Sequence, residues 1–355
     1  MPYVAPTMLA VTTTGAWAKP GWYDLLAEAE RQGRFGPEDI EELYNDYAVL
    51  AIKDQEDCDV DIVTDGETRR FGWIQRIAKA LPGLRLREKT RLLGPIGFDS
   101  LDTYVLERPL ANLDSLWDYV SEYRFLRAYT DRRPKLGMPG PFGMTAQLDF
   151  SSVYRHRVEC AEAFVPAIRH DIQCLVAAGC DYIQIEEALT PGVVADNRTA
   201  TDIARLVNAC IEGITGCTFT LHVCFGSFTR LPYAKRSYRG IFPTLLDAKV
   251  HGFSIEFGAR EMAEIELVGD WDRDRILSAG LIDIKTHYAE TPEDLIERLC
   301  ICLKYRAPEK LEISSDCGFT RVPRYLTKKK LRAAAEAARR LRQELTGVAE
   351  PSPSP

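Results

Sequence analysis

Four side chains in the second half of the chain have the types and spacing of metal ligands. His222 and Cys224 stand two apart in Leu221-His222-Val223-Cys224, Glu256 closes Ser254-Ile255-Glu256, and Cys317 follows Ser314-Ser315-Asp316. On an extended strand, residues i and i+2 point to the same side, so His222 and Cys224 can face one ion together. An imidazole nitrogen, two thiolates and a carboxylate suit tetrahedral Zn²⁺, which makes zinc the expected cofactor. A His-x-Cys pair alone carries little weight, because a buried cysteine is ordinarily an inert small hydrophobe. Glu256 and Cys317, at the ends of two further strands and each followed within two residues by Gly258 or Gly318, strengthen the reading. A free thiol is mostly protonated at neutral pH, whereas a metal-bound one is a thiolate and still nucleophilic. A metal already carrying two thiolates and a carboxylate is electron-rich, which favours thiolate alkylation over water activation.

These residues need elements that bring their strand ends together. Short β-branched runs at Leu9–Thr14, Val60–Thr64, Lys135–Met138, Tyr182–Ile185, Thr218–Val223, Gly252–Ile255, Leu281–Ile284 and Leu311–Ser314 read as strands. Amphipathic stretches at Pro37–Gln55, Arg157–Ala178, Ala200–Glu212, Gly240–Val250, Thr291–Tyr305 and Thr327–Leu345 read as helices between them. Strand alternating with helix argues for parallel βα units. No glycine-rich dinucleotide fingerprint follows the first strand, so a closed (β/α)8 TIM barrel is expected over a doubly wound sheet. In such barrels the active site lies at the carboxyl ends of the strands, where the four ligand candidates fall. The stretch from about 72 to 133 fits the repeat poorly and reads as an insertion after the second strand. A single catalytic domain is expected over 1–346, with a disordered tail over 347–355.

Composition limits the function. With 355 residues, 46% of them hydrophobic, the chain can bury a large core. A formal charge of −7 gives no general attraction to polyphosphate, so nucleic acid is not an expected partner. No apolar run is long enough to span a membrane, and the N-terminus lacks a signal peptide's basic start and apolar stretch, so a cytoplasmic protein with no membrane partner is expected. Of ten cysteines, those other than Cys224 and Cys317 are expected as core thiols, among them Cys174, Cys180, Cys300 and Cys302.

The motifs together resemble the cobalamin-independent methionine synthase family, specifically its catalytic C-terminal barrel. His222-x-Cys224, Ile255-Glu256 and Asp316-Cys317-Gly318 are similar to its zinc site. Asp65-Gly66-Glu67 looks like its Gly-Glu motif, Gly140-Pro141 like its Gly-Pro turn, Ile183-Gln184-Ile185-Glu186-Glu187 like its Ile-Gln-Ile-Asp-Glu-Pro run, and Thr13-Thr14-Gly15 like its first-strand turn. The likeness runs from about residue 9 to 345, the short single-barrel form of the superfamily. It implies zinc-dependent methyl transfer to the thiol of homocysteine. Thr14, Gly15, Glu67 and Glu186 would then bind substrate, with Glu187 as the alternative to Glu186. The family's acid histidine falls in register with Lys285, and His287 lies two residues on, so His287 is the expected catalytic acid and Lys285 its substitute. The position of the family's pterin-stacking Trp falls on or near Gln147, so the donor expected is either methyltetrahydrofolate or a methylated corrinoid, with a corrinoid protein as candidate partner.

Two other readings compete. One is alkyl transfer to another small thiol, as in epoxyalkane:coenzyme M transferases, where Arg69, Arg70, Lys285 or Arg321 would meet a sulfonate. The other is a non-catalytic zinc-binding or corrinoid-partner protein.

Overall fold

In the computed structural model, which describes residues 7–70, 77–78, 81–91, 100–111, 113–188, 197–226 and 236–348, the β-branched runs become the staves of a barrel. In chain order the strands are β1 (Ala10–Val11), β2 (Ile62–Val63), β3 (Leu84–Arg91), β4 (Ser100–Leu106), β5 (Arg133–Pro134), β6 (Leu136–Pro139), β7 (Leu148–Asp149), β8 (Tyr182–Glu186), β9 (Thr218–Val223), β10 (Gly252–Glu256), β11 (Ile276–Ile282) and β12 (Leu311–Ser315). One sheet runs in the order β1-β12-β11-β10-β9-β8-β6, and every pairing in it is parallel. The ring closes through β2. Ile62 bridges Thr12 in parallel, the Asp61 amide donates to Val11 O at 2.9 Å, and the Lys135 amide between β5 and β6 donates to Val63 O at 2.9 Å.

Alternation sorts the two faces of each stave. Ile183, Ile185, Leu221, Val223, Phe253, Ile255, Leu277 and Ile313 join the main apolar core between staves and helices. The alternate positions line a polar interior. There the Thr14 hydroxyl meets Ser314 Oγ at 2.8 Å and Ser254 Oγ at 3.2 Å. Lys135 Nζ donates to Gln184 Oε1 at 3.1 Å, and the Tyr182 hydroxyl donates to Glu312 at 2.8 Å.

Several elements depart from the sequence expectation. The strand expected at Leu281–Ile284 begins at Ile276. Its small residues Ser278, Ala279 and Gly280 hide it; a Cβ on Gly280 would lie 2.9 Å from both Asp316 Cα and Ile255 O. The helix expected over Gly240–Val250 is only a 3-10 turn, Thr244–Asp247, with Pro243 at its start and extended Ala248 at its end. The helix expected over Arg157–Ala178 is two, Arg157–Glu162 and Val165–Ala177, because Pro166 has no amide to continue the first and starts the second. An unforeseen helix covers Tyr23–Arg31.

Within the stretch read as an insertion, β3 and β4 pair antiparallel and β4 pairs in parallel with β7. Its last part is a helix, Tyr119–Tyr129, N-capped by the Asp118 side chain, which packs on the helices Pro37–Glu56 and Val165–Ala177. Residues 72–76, 79–80, 92–99 and 112 of that stretch, and 349–355 of the tail, lie outside the described residues. All ten cysteines are free thiols. Cys300 is exposed and Cys174 half-buried, which corrects their reading as core. Among the described residues no helix is long and apolar enough to cross a membrane.

Candidate functional site

β9 carries His222 inward, and the chain turns directly after it to place Cys224; β12 delivers Cys317 across the same mouth. One ligand atom from each of the three lies within 4.8 Å of the others. The two sulfurs are 3.4 Å apart. His222 Nδ1 lies 3.1 Å from the Ser254 carbonyl oxygen. A carbonyl can only accept, so Nδ1 is the protonated nitrogen and Nε2 keeps its lone pair. Nε2 is buried without a hydrogen-bond partner, aimed into the cluster. The hydrogen bond that the Cys224 thiol donates holds the Cys317 thiol well below the ordinary range. The donor set and the orphaned imidazole nitrogen fit a borderline-soft cation such as Zn²⁺.

Backbone approach fixes the loops that carry these ligands. Gly15 has φ +64°, and a Cβ there would sit 3.1 Å from Gly318 Cα; one on Gly318 would sit 2.8 Å from the Ala16 amide. The first loop thus seats the Cys317 turn, joined by Phe319 N donating to Ala16 O at 2.7 Å. Asp316 accepts from the amides of Gly258 at 3.0 Å and Ala259 at 2.9 Å, tying the β12 loop to the β10 loop. The Tyr238 hydroxyl accepts from Glu256 N at 2.9 Å and lies 3.1 Å from Glu256 O and 3.3 Å from Val223 O, bracing the ends of β9 and β10.

The remaining candidates separate by position. Glu256 is not one of the three clustered ligands; its Oε2 is 2.8 Å from Lys285 Nζ. Lys285 is turned into the barrel mouth, whereas His287 is exposed. Glu67 and Glu186 come together across Gly137, whose hypothetical Cβ would be 2.9 Å from Glu67 Oε1 and 3.6 Å from Glu186 Oε1. Both Glu67 oxygens are buried without hydrogen-bond partners, and burial pushes this carboxyl up to about 8. Glu186 accepts from Gln184 Nε2 at 2.5 Å, and its Oε2 is 3.9 Å from His222 Nε2. Glu187 faces away. Its oxygens accept from the amides of Phe142 at 3.0 Å and Gly143 at 2.7 Å, at the start of the short helix Pro141–Met144. Thr14 is engaged with the interior serines.

Sequence reasoning did not single out Lys135, Tyr238 or Glu122. Lys135 lies wholly inside the barrel, where burial lowers its ammonium to about 8. A lysine inside an apolar strand run was its visible signal. Glu122 holds Arg70 Nε at 3.1 Å, and Arg70 also donates to Gly137 O at 2.7 Å, anchoring the turn after Glu67. Nothing local in the sequence marks that partnership or the Tyr238 brace.

A parallel barrel whose mouth gathers His, Cys and Cys beside buried carboxylates defines a catalytic-barrel domain with a candidate metal centre. The chain belongs to the cobalamin-independent synthase family, whose catalytic domain matches residues 9–340. It is similar to the methionine synthase of Saccharolobus islandicus (strain L.S.2.15 / Lassen #1), 26% identical over 343 residues, covering 95% of this chain and 96% of that one. It is also similar to the methionine synthase of Sulfurisphaera tokodaii, 25% identical over 341 residues, covering 95% and 94%. The fold matches a B12-independent methionine synthase from Shewanella sp. W3-18-1, solved in complex with selenomethionine, with a TM-score of 0.81 and 24% identity over 96% of this chain and 100% of that one.

Proposed function

We propose that this chain is a methyltransferase that moves a methyl group to the thiol of homocysteine, giving methionine, with zinc held by His222, Cys224 and Cys317. The observation that carries the reading is the convergence of three ligand atoms within 4.8 Å at a mouth that also holds the two carboxylates meeting over Gly137. Zinc, when bound, supplies the acidity that turns the substrate thiol into a nucleophilic thiolate at neutral pH. The protein does the rest. Glu67 and Glu186 offer carboxylate oxygens to the substrate ammonium, which could not be buried unpaired. Gly137 leaves the room for both, and Gln184 fixes the Glu186 carboxylate.

The methyl donor is methyltetrahydrofolate or a methylated corrinoid; Gln147, on or near the position of the family's pterin-stacking Trp, is buried with Oε1 unpartnered. The sulfonate-thiol alternative is less well served, since Arg70 already faces Glu122 at 3.1 Å and Lys285 faces Glu256 at 2.8 Å. In a non-catalytic zinc protein the Glu67 and Glu186 pair would have no task. Zinc content and homocysteine-dependent turnover with both donors, measured on the wild type, Cys224→Ser and Cys317→Ser, test the proposal. Each variant is expected to lose stoichiometric zinc and turnover; full zinc and activity in either contradicts the ligand assignment, and no turnover by the wild type with any methyl donor contradicts the reaction.

A further inference from the structure

Glu67 and Arg70 are placed to pair with each other, yet Arg70 is turned elsewhere. Thr68–Arg70 is a 3-10 turn, and the Arg70 amide donates to Glu67 O at 3.1 Å. Residues three apart on such a turn lie on the same side, so an ion pair between them is the local expectation. Both also abut Gly137. Its hypothetical Cβ would be 2.9 Å from Glu67 Oε1, and its carbonyl accepts from Arg70 Nη1 at 2.7 Å. Even so, among the described residues neither Glu67 oxygen has a hydrogen-bond partner.

What diverts the guanidinium comes from the helix Tyr119–Tyr129, outside the barrel. Glu122 Oε2 lies 3.1 Å from Arg70 Nε, with the two side chains 2% and 0% exposed. Tyr119, three residues earlier on the same helix face, sets its ring 5.2 Å from the guanidinium. The Glu122 carboxylate is itself held, because Trp117 Nε1 donates to its Oε1 at 2.7 Å. Asp65 contributes less. Its Oδ1 already accepts the Glu67 amide at 3.0 Å and stands 3.8 Å from Arg70 Nη2.

We propose that Glu122 is a positioning residue for homocysteine: it claims Arg70 and so leaves Glu67 unpaired for the substrate ammonium. The inference deepens the reading of Glu67 as an ammonium-binding group and rests on it. A buried guanidinium left without a counter-charge is costly, so Arg70 takes whichever carboxylate its surroundings offer. Without Glu122 that carboxylate is Glu67, one turn back along the same chain. An Arg70–Glu67 pair would ionise Glu67, occupy its oxygens and set a second cation where the ammonium has to go. Substrate would then have to displace the arginine before it could bind. The stretch read as an insertion after the second strand thereby has a task at the site, since its last helix acts on Glu67 through Arg70.

The test is calorimetric titration of the full-length, zinc-loaded protein with homocysteine and with its des-amino analogue, γ-mercaptobutyrate. Glu122→Gln keeps an acceptor for Trp117 but loses the charge. It should raise the homocysteine Kd about tenfold or more and leave the γ-mercaptobutyrate Kd within about twofold of wild type. A crystal structure of the variant should show the Arg70 guanidinium on the Glu67 carboxylate. A merely structural glutamate would weaken both thiols alike or neither. A homocysteine Kd within about threefold of wild type, an equal loss for both thiols, or an Arg70 that stays in place overturns the inference. If Glu122→Gln does not fold, Glu122→Asp takes its place, with its carboxylate drawn back from Arg70 by one methylene. A loss of about three- to tenfold for homocysteine alone is then expected, and no selective loss overturns the inference. Failure of the underlying reading looks different: the wild type itself would bind the two thiols equally tightly.

Discussion

Glu67 shows how one side chain joins stability to binding. Its φ of +53° is held by Asp65 Oδ1, which accepts the Glu67 amide at 3.0 Å, and by the buried Arg70 that follows. Burial lifts its carboxyl from 4.5 to about 8, so the folded protein keeps a proton there that the unfolded chain has already released. Where the native state binds more protons, stability falls as pH rises, and for Glu67 the window is about 4.5 to about 8. Glu67→Gln cannot ionise, so near pH 8 it should be more stable than wild type by roughly 1–4 kcal/mol and should lack Glu67's part of that decline. Denaturant titrations of both proteins at pH 5 and pH 8 check this; a wild type no more pH-sensitive than the variant would remove the buried-acid account. The same variant should lower homocysteine kcat/KM by about 2–4 kcal/mol, the scale for removing one partner of a buried charged contact. A sulfonate thiol, having no ammonium, should be nearly indifferent to the change.

At the level of elements, the strand ends do the positioning, and Tyr238 is the clearest lever on them. Tyr238→Phe leaves the amide of Glu256 without its hydroxyl acceptor and should cost about 1–3 kcal/mol in urea unfolding, the usual penalty for orphaning a buried polar group. Zinc affinity should fall with it, because the ends of β9 and β10 lose their brace; unchanged stability and affinity together would show that the hydroxyl positions nothing. The staves β8, β9, β10 and β12 were legible because their apolar residues alternate with polar ones in short runs, and so were the metal-ligand candidates at three of their ends. β11 was partly hidden because its close approach to Asp316 demands Gly280, which reads as a turn rather than a strand. The choice between Glu186 and Glu187 was not legible, because the two alternate in facing and only the amides of Phe142 and Gly143 reveal which one turns outward. Lys285 was legible as a candidate acid, but its ion pair with Glu256 depends on two loops meeting across the mouth.

Across the whole molecule, the barrel's seam is stapled by the C-terminal helix Arg324–Thr346, which Gly347 ends with φ +71°. From that helix Arg342 reaches Asp61 Oδ2 at 3.3 Å and Leu9 O at 3.3 Å, while Asp61 also accepts the Val11 amide at 2.9 Å. Asp61→Ala should therefore cost about 3–5 kcal/mol, the range for breaking a buried ion pair, measured by chemical denaturation. A loss under 1 kcal/mol would show that the seam closes without the staple. A closed barrel matters to the chemistry because Gly15 of the first loop seats the Cys317 turn of the last, so the ring must meet for the metal cluster to form. X-ray absorption at the zinc edge, recorded on the full-length protein before and after saturation with homocysteine, reads that assembled centre. Two sulfurs around zinc, those of Cys224 and Cys317, should become three when the substrate thiol joins them; a sulfur count that does not change on saturation would contradict thiol activation at this centre.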